Sequence, residues 1–208
     1  MNDIKPNNLR TMVGVTNLCV GILTISNPAD AITLIGNYSS TNDGSVTFIS
    51  TSARQKAIGF TLPTGKDYIL DSITLRLQNY STTANDVARL RIYQDVNKTS
   101  TNPNGAILQS VMFTNPSSSS NKTNNFTFTP TSTITFKADT RYWLLVDATA
   151  GNYNWRANNA GITPTGISGI TFDSYEFSAN DGTTYTSSLT FNSFNIQVTE
   201  VVATPNSL

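Results

Sequence analysis

Carboxylates are the side chains of this sequence that could do acid–base chemistry, because the chain contains no histidine and only one cysteine. Hydrolysis of a glycosidic bond needs two carboxyl groups that face each other across the substrate. The candidates Asp139, Asp147, Asp173 and Glu176 are scattered and follow no catalytic spacing. Asp139 and Asp147 are explained by turns and a capped strand start, without a catalytic role. The sequence also has no phosphate-binding glycine loop, nucleophile elbow or metal motif, so it predicts a protein that is not an enzyme.

A second set of polar side chains could bind a metal ion. Asp95, Asn97, Asn102 and Asn104 place four side-chain oxygens in one short segment. Oxygen ligands of this kind suit calcium. Asp and Asn side chains also hydrogen-bond their own backbone in turns. We therefore favour turn formation for these residues and keep a calcium site as the alternative, with no other cofactor expected.

Aromatic side chains are the third group that could contribute to function. Tyr153 and Trp155 alternate in a polar, Asn-rich stretch, where their rings could contact a glycan. Packing over the open end of a sandwich is the favoured explanation for both, because large aromatic side chains are mostly buried. Trp143 lies in a doubly apolar stretch and is predicted to be a core residue.

The composition limits the classes of partner. Charged residues make up 12% of the chain, with 13 basic and 13 acidic side chains and no basic cluster. The sequence therefore lacks the basic cluster that nucleic-acid binding by counterion release requires. A hydrophobic content of 38% argues for a folded domain with a full core. The surface is instead rich in Ser, Thr and Asn, which is common in secreted and phage proteins.

The first 31 residues differ from the rest. Two basic residues precede an apolar run over 12–25, and Ala29 and Ala31 occupy the small positions of a signal-peptidase site. The run is too short to span a bilayer, so no membrane-spanning segment is expected in the mature chain. We predict a cleaved signal peptide or, as the alternative, an N-terminal arm. A single domain follows over residues 32–208.

Alternation of apolar and polar residues predicts β-strands that bury one face. It recurs in four segments: Ile73–Leu77, Ala88–Ile92, Phe126–Phe128 and Phe194–Val198. Residues 142–146 are apolar on both faces, which predicts a central strand covered on both sides. Further strands are expected near 45–50, 55–62, 106–113 and 133–137. With Gly-containing turns between them, these segments predict an all-β, antiparallel, jelly-roll-like β-sandwich with almost no helix after residue 31.

Several short motifs follow one another in a characteristic order. They are Gln55–Thr61, Tyr68–Leu77, Arg91–Asp95, Asn102–Leu108, Asn125–Thr129, Phe136–Val146, Trp155, Asp181–Tyr185 and Phe194–Val198. In this order they resemble the choice-of-anchor R domain family of exported bacterial proteins. The resemblance covers roughly residues 37–202 and implies an exported β domain. Tyr185 stands where the family often has Trp. Family members commonly continue into a sorting motif and a membrane helix, and this sequence departs from them in showing no evident anchor after residue 201.

Two functions are compatible with these observations. The favoured one is a non-catalytic, exported β-sandwich at a bacterial cell surface or in the extracellular matrix, acting structurally or by contacting glycans. The alternative is a structural protein of a virion or another particle, such as a capsid decoration protein or a fibre component. In that case residues 1–31 would be an assembly arm that contacts a neighbouring subunit.

Overall fold

Two antiparallel β-sheets pack face to face in the computed structural model of this protein. The structure describes residues 30–38, 43–51, 53–81, 83–112, 122–158 and 161–201. The predicted signal peptide or arm lies almost wholly outside the described residues. The first described strand begins at Ile32, the residue at which the predicted domain begins.

The larger sheet has eight strands arranged around a long central strand. Across the sheet, the order is β11 (Thr165–Gly166), β1 (Ile32–Gly36), β14 (Phe194–Glu200), β4 (Tyr68–Gln78), β10 (Asn152–Asn158) and β2 (Asp43–Ser50). Two further strands also pair with β4, namely β7 (Asn124–Phe128) and β8 (Thr135–Phe136). Because β1 and β14 run antiparallel, Ile32 lies opposite Val198.

The smaller sheet has six strands. Their order is β13 (Thr186–Ser187), β12 (Thr171–Ser178), β3 (Gln55–Thr61), β9 (Arg141–Ala150), β5 (Val87–Asp95) and β6 (Ile107–Met112). Strand β9 is flanked by β3 and β5 along most of its length. The chain passes repeatedly between the two sheets, as the chain of a jelly roll does.

The main core fills the space between the sheets and is dense in aromatic side chains. Its fully buried aromatic residues include Phe60, Tyr80, Phe126, Phe128, Phe136, Tyr142, Tyr153, Trp155, Tyr175 and Phe194. The rings of Phe136 and Tyr142 meet edge to face with centroids 4.9 Å apart. Buried area on this scale is the main source of stability in a sandwich.

The predicted antiparallel β-sandwich is confirmed. All the segments predicted as strands contain one, and β9 is buried on both faces from Tyr142 to Ala148. Among the described residues the helical structure is a single 3₁₀ turn at Pro103–Gly105. Two long strands, β10 and β12, were not predicted. The alternation of Tyr153 and Trp155 was interpreted as packing over an open end, and the bulge at Asp173 interrupts the alternation in β12.

Both sheets end in strands that expose apolar side chains. Val46 and Phe48 are exposed on β2, the last strand of the larger sheet. Ile107 and Leu108 are exposed on β6, the last strand of the smaller sheet. Open strand edges of this kind are surfaces on which another chain can pair.

Candidate functional site

The outer face of the six-stranded sheet carries the polar chemistry of the domain. Side chains of β9 alternate between the two faces of the sheet. Tyr142, Leu144 and Val146 point into the main core, whereas Trp143 and Leu145 belong to a separate cluster on the other face. Trp143 is nevertheless only 1% exposed. The prediction that Trp143 is buried is therefore confirmed, although it lies outside the main core.

Two loops cover the middle of this outer face. Ala106 and Tyr185 pack with Tyr93 over the cluster of Ala57, Trp143 and Leu145. The loops that carry Ala106 and Tyr185 are joined by a hydrogen bond in which Asn104 Nδ2 donates to the carbonyl oxygen of Gly182, 2.5 Å away. This bridge leaves a polar cavity on either side of the cluster.

The first cavity, which we call the Trp143 cavity, has a volume of about 290 Å³. Its lining is polar except for the indole: Ser100, Thr101, Arg141, Trp143, Asp173, Ser174, Glu176 and Ser187. A bulge in β12 inserts Asp173 between the residues that pair with Phe60 and Gly59. An extra residue in a bulge re-aims its side chain, which explains why both Asp173 and Ser174 line one cavity.

Hydrogen bonds fix the charged groups of the Trp143 cavity. Arg141 Nε donates to Asp173 Oδ2 at 3.1 Å, and Arg141 Nη1 donates to the carbonyl oxygen of Ser100 at 2.8 Å. Ser187 Oγ donates to Glu176 Oε1 at 2.9 Å. Glu176 is buried without an ion-pair partner among the salt bridges of the described residues. The cavity thus presents both donors and acceptors in fixed positions.

The indole nitrogen of Trp143 is an unusual atom beneath this face of the sheet. Trp143 Nε1 is buried and has no hydrogen-bond partner within the described parts of the chain. Most buried donors in proteins are paired, so this indole N–H is an exception.

The second cavity, the Arg91 cavity, has a volume of about 150 Å³. Its lining is Gln55, Arg89, Arg91, Tyr93, Asn104, Leu145, Asp181, Gly182 and Tyr185. Beneath it, Asp147 accepts hydrogen bonds from Arg89 Nε and Arg91 Nη2, each at 2.7 Å. The hydrogen bond to Asp147 raises the pKa of Arg89, so this guanidinium stays charged. Burial raises the pKa of the Tyr185 hydroxyl, which donates to Gln55 Oε1 at 3.0 Å.

Lys56 is a buried cation that the sequence did not single out. It points to the inner side of β3, is 0% exposed, and donates from Nζ to Ser188 Oγ at 2.9 Å and to the Thr190 carbonyl oxygen. Its Nζ also lies 5.0 Å from the ring centroid of Tyr175. Burial lowers the pKa of Lys56 to about 7.

Packing, the favoured explanation for Tyr153 and Trp155, agrees with the structure, whereas the alternative of a glycan contact does not. The two side chains point inward from β10 and are 1% and 0% exposed. Tyr153 donates its hydroxyl proton to the Asp147 carbonyl oxygen at 2.7 Å, and Trp155 Nε1 donates to the Ser193 carbonyl oxygen at 2.9 Å. Their alternation in sequence was the signal of a half-buried strand, and β10 packs them into the main core instead of over an open end.

The residues predicted as a calcium loop serve other contacts. Asp95 Oδ2 accepts from the Ser100 backbone N–H at 2.8 Å, and the Arg141 guanidinium lies 3.8 Å away. Asn102 Oδ1 accepts from the Asn104 backbone N–H at 3.0 Å, and Asn104 forms the bridge to Gly182. Asn97 is exposed. Turn formation therefore explains these residues, and the structure does not support the calcium alternative.

The four carboxylates considered for catalysis are all engaged. Asp139 pairs with Lys98, Asp147 with two arginines, and Asp173 with Arg141. Contrary to the expectation of a capped strand start, Asp147 lies within β9 on its outer face. Only Asp173 and Glu176 share a cavity.

A larger cavity of about 570 Å³ lies at the edge of the eight-stranded sheet. It is lined by Thr33, Gly36, Asn37, Tyr38, Ile162, Thr165, Gly166, Ile167 and Asn195. No charged side chain is among them. Residues 39–42, which follow Tyr38 in sequence, and residues 159–160 lie outside the described part of the chain. We therefore place the candidate site on the outer face of the six-stranded sheet.

Comparison with known proteins gives no relative for this chain. No family model matches it, and no curated protein or solved structure is similar to it. The resemblance to the choice-of-anchor R family therefore stays a prediction. Over the residues that the structure describes, no helix has the length and apolarity needed to cross a membrane.

Proposed function

We propose that this protein is a non-catalytic β-sandwich that contacts glycans through the outer face of its six-stranded sheet. The observation that carries the proposal is the pair of polar cavities on that face. Sugar hydroxyls both donate and accept hydrogen bonds, so a site for them needs fixed donors and acceptors side by side. Guanidinium, carboxylate and hydroxyl groups meet this need in both cavities, and the Arg91 cavity adds the side-chain amides of Gln55 and Asn104.

Export to a bacterial cell surface or extracellular matrix belongs to the same proposal. It is supported by the signal-peptide pattern of the first 31 residues and by the resemblance to the choice-of-anchor R family. The hydroxyl-rich surface with few charges fits this location. A role without catalysis is supported by the ion pairs that engage Asp139, Asp147 and Asp173.

Affinity electrophoresis of the full chain through gels containing neutral bacterial and plant polysaccharides tests the proposal. We expect at least one polysaccharide to retard the protein. Ser187→Arg places a long side chain at the exposed edge of the Trp143 cavity and should reduce the retardation. Thr127→Arg adds the same side chain to an exposed position on the eight-stranded sheet and should not. Migration unaffected by every polysaccharide would refute the proposed function.

A second function is favoured by the exposed edges of the sheets. Val46 and Phe48 on β2, and Ile107 and Leu108 on β6, offer apolar strand edges to a neighbouring subunit. Such edges suit a structural subunit of a virion or another particle. Sedimentation of the full chain at increasing concentration tests this function. Self-association that Ile107→Lys abolishes would support it, and a monomer at all concentrations would argue against it.

A further inference from the structure

We propose that Asn104 is a site of spontaneous deamidation, with water as the reagent, and that the reaction unties the two loops that cover the six-stranded sheet. This inference goes beyond the proposed function and does not depend on it. It rests on the residue that follows Asn104, on the exposure of the turn, and on the hydrogen bond from Asn104 to Gly182.

The first reason is the sequence of the turn. Deamidation begins when the backbone nitrogen of the next residue attacks the side-chain amide carbon, and glycine hinders this attack least because it has no Cβ. Asn104 and Gly105 form the only Asn-Gly pair among the 208 residues. Asn102, two positions earlier, precedes Pro103, whose nitrogen has no hydrogen to give up. One turn therefore contains a reactive asparagine and, beside it, one that cannot react by this route.

The second reason is that the structure favours glycine at position 105. A Cβ atom there would lie 2.6 Å from Ser100 Oγ and 3.0 Å from Ser100 Cβ. Ser100 is buried, and its backbone N–H donates to Asp95 Oδ2, so it has little room to move. The packing of the turn on Ser100 thus preserves the reactive Asn-Gly pair.

The third reason is access to the reacting atoms. Asn104 and Gly105 are both exposed, in the 3₁₀ turn Pro103–Gly105. The attacking group, the Gly105 N–H, donates to the Asn102 carbonyl oxygen over 3.4 Å, which is longer than an ordinary bond of this kind. A short exposed turn held by such a bond opens locally at low cost in free energy. Solvent can therefore reach the proton that must leave.

The reaction consumes one water molecule and releases one molecule of ammonia. The Gly105 nitrogen gives its proton to a base in the solvent and forms a bond to Cγ of Asn104. The bond between Cγ and Nδ2 breaks, and Nδ2 takes up a proton and leaves as ammonia, so that a succinimide ring remains. Water then opens the ring at one of its two carbonyl groups and leaves an aspartate or an isoaspartate. No atom is oxidised or reduced.

The consequence for the fold lies in the lost donor. Asn104 Nδ2 donates to the Gly182 carbonyl oxygen, and this hydrogen bond joins the loops that carry Ala106 and Tyr185. The product has a carboxylate at this position, which only accepts hydrogen bonds and faces a carbonyl oxygen that also only accepts. The bond between the loops is therefore lost. Because the change is covalent, it does not re-form.

Peptide-resolved mass spectrometry of the full chain during storage at mildly alkaline pH tests the site. We expect the mass change of an amide converted to an acid, together with isoaspartate, at Asn104 and not at Asn102. The bond to Gly182 and the bond from the Gly105 N–H must both open in the native protein. Native protein should therefore react roughly ten- to hundredfold more slowly than the chain unfolded in urea.

Asn104→Gln is the control for the chemistry, because its side chain keeps the amide but would have to close a larger ring. It should show no mass change at this position over the same period. An Asn104 that stays intact in the native protein while the unfolded chain reacts would overturn the inference. Conversion of the glutamine at the rate of Asn104 would overturn the attack by Gly105.

Asn104→Asp imitates the product in every molecule and tests the effect on the loops. Amide hydrogen exchange at Ala106 and Thr184, whose N–H groups are bonded within the two loops, should be about tenfold faster than in the wild type. Asn97→Asp is the matched control, because it adds the same charge at an exposed position outside the bridge and should exchange as the wild type does. Wild-type exchange in Asn104→Asp would show that this hydrogen bond does not hold the loops, and would overturn their release.

Discussion

The two tryptophans of this protein show how its two apolar regions differ. Trp155 lies between the sheets, is 0% exposed, and donates its N–H to the Ser193 carbonyl oxygen. Trp143 lies on the outer face of the six-stranded sheet and is buried to nearly the same extent, but its N–H is unpaired within the described structure. Two tryptophans that are equally buried therefore differ in whether the indole N–H is hydrogen-bonded.

The same contrast holds for the tyrosines of the main core. Tyr142 accepts from the Lys137 backbone N–H, Tyr153 donates to Asp147, and Tyr175 donates to the Asn192 carbonyl oxygen at 2.6 Å. In the interior, these tyrosines thus pack their rings against apolar neighbours while their hydroxyl groups are hydrogen-bonded. Polar side chains of the outer face instead line two cavities. The hydrogen-bonded groups of the interior contribute to stability, and the cavities of the outer face are the basis of the proposed glycan contact.

The largest expected effect is the loss of stability when either tryptophan is replaced by alanine, and it should differ between the two regions. Trp155→Ala should destabilise the protein by about 5 kcal/mol, because it opens a cavity in the dense core and removes one of the two donors to the Ser193 carbonyl oxygen, the other being the Arg76 backbone N–H. Trp143→Ala should cost about 3 kcal/mol, because one side of its ring already borders a cavity. Chemical denaturation of both variants measures the difference. A larger loss for Trp143→Ala would break the comparison.

A middle-sized effect concerns the buried amine of Lys56. Its pKa is about 7 in the folded protein and 10.5 as the ordinary value, so the folded state carries a penalty for the ammonium. That penalty is complete below about pH 7, decreases as the pH rises, and is absent above about pH 10.5. Lys56→Met removes it. The stability gained by this variant should therefore be about 2–3 kcal/mol larger near pH 6 than near pH 9.

Denaturation of the wild type and Lys56→Met at the two pH values measures this difference. Lys66→Met is the matched control, because Lys66 is exposed and pairs with Glu200 at the surface. Its stability relative to the wild type should change little over the same range. An equal gain for Lys56→Met at both pH values would show that the amine is solvated in the folded protein.

The smallest expected effect is the most specific. Trp155→Phe removes a donor from a bonded carbonyl oxygen and should cost about 1–2 kcal/mol. Trp143→Phe removes a donor that has no acceptor and should be neutral or slightly stabilising in the unbound protein. Thermal unfolding of the two variants shows whether each substitution raises or lowers the stability. Equal losses would mean that Trp143 Nε1 is hydrogen-bonded in solution.

The architecture was predictable from sequence because alternation reports directly on burial. The doubly apolar residues 142–146 correctly marked the central strand β9. The position of the candidate site was not predictable. The loops that cover this face of the sheet are joined by a hydrogen bond between Asn104 and Gly182, which no local sequence pattern predicts.

The errors have the same origin. Tyr153 and Trp155 have polar neighbours in sequence, and these neighbours suggested rings that pack over an open end of the sandwich, with a glycan contact as the alternative. The neighbours point away from the core, because side chains of a strand alternate, and the rings are buried. Similarly, the oxygens near Asp95 resemble a metal loop when counted along the chain. Only the structure shows that the Asp95 carboxylate already contacts the Ser100 backbone N–H and the Arg141 guanidinium.

The antiparallel pairing of β1 with β14 determines how the sandwich responds to mechanical load. Since Ile32 lies opposite Val198, the start of the first described strand and the end of the last lie side by side. Tension applied between these two points peels the strands apart one hydrogen-bonded pair at a time, instead of shearing the whole ladder at once. A domain pulled from both ends would therefore open at this edge under low force, whereas tethering through one end leaves its sheets unloaded.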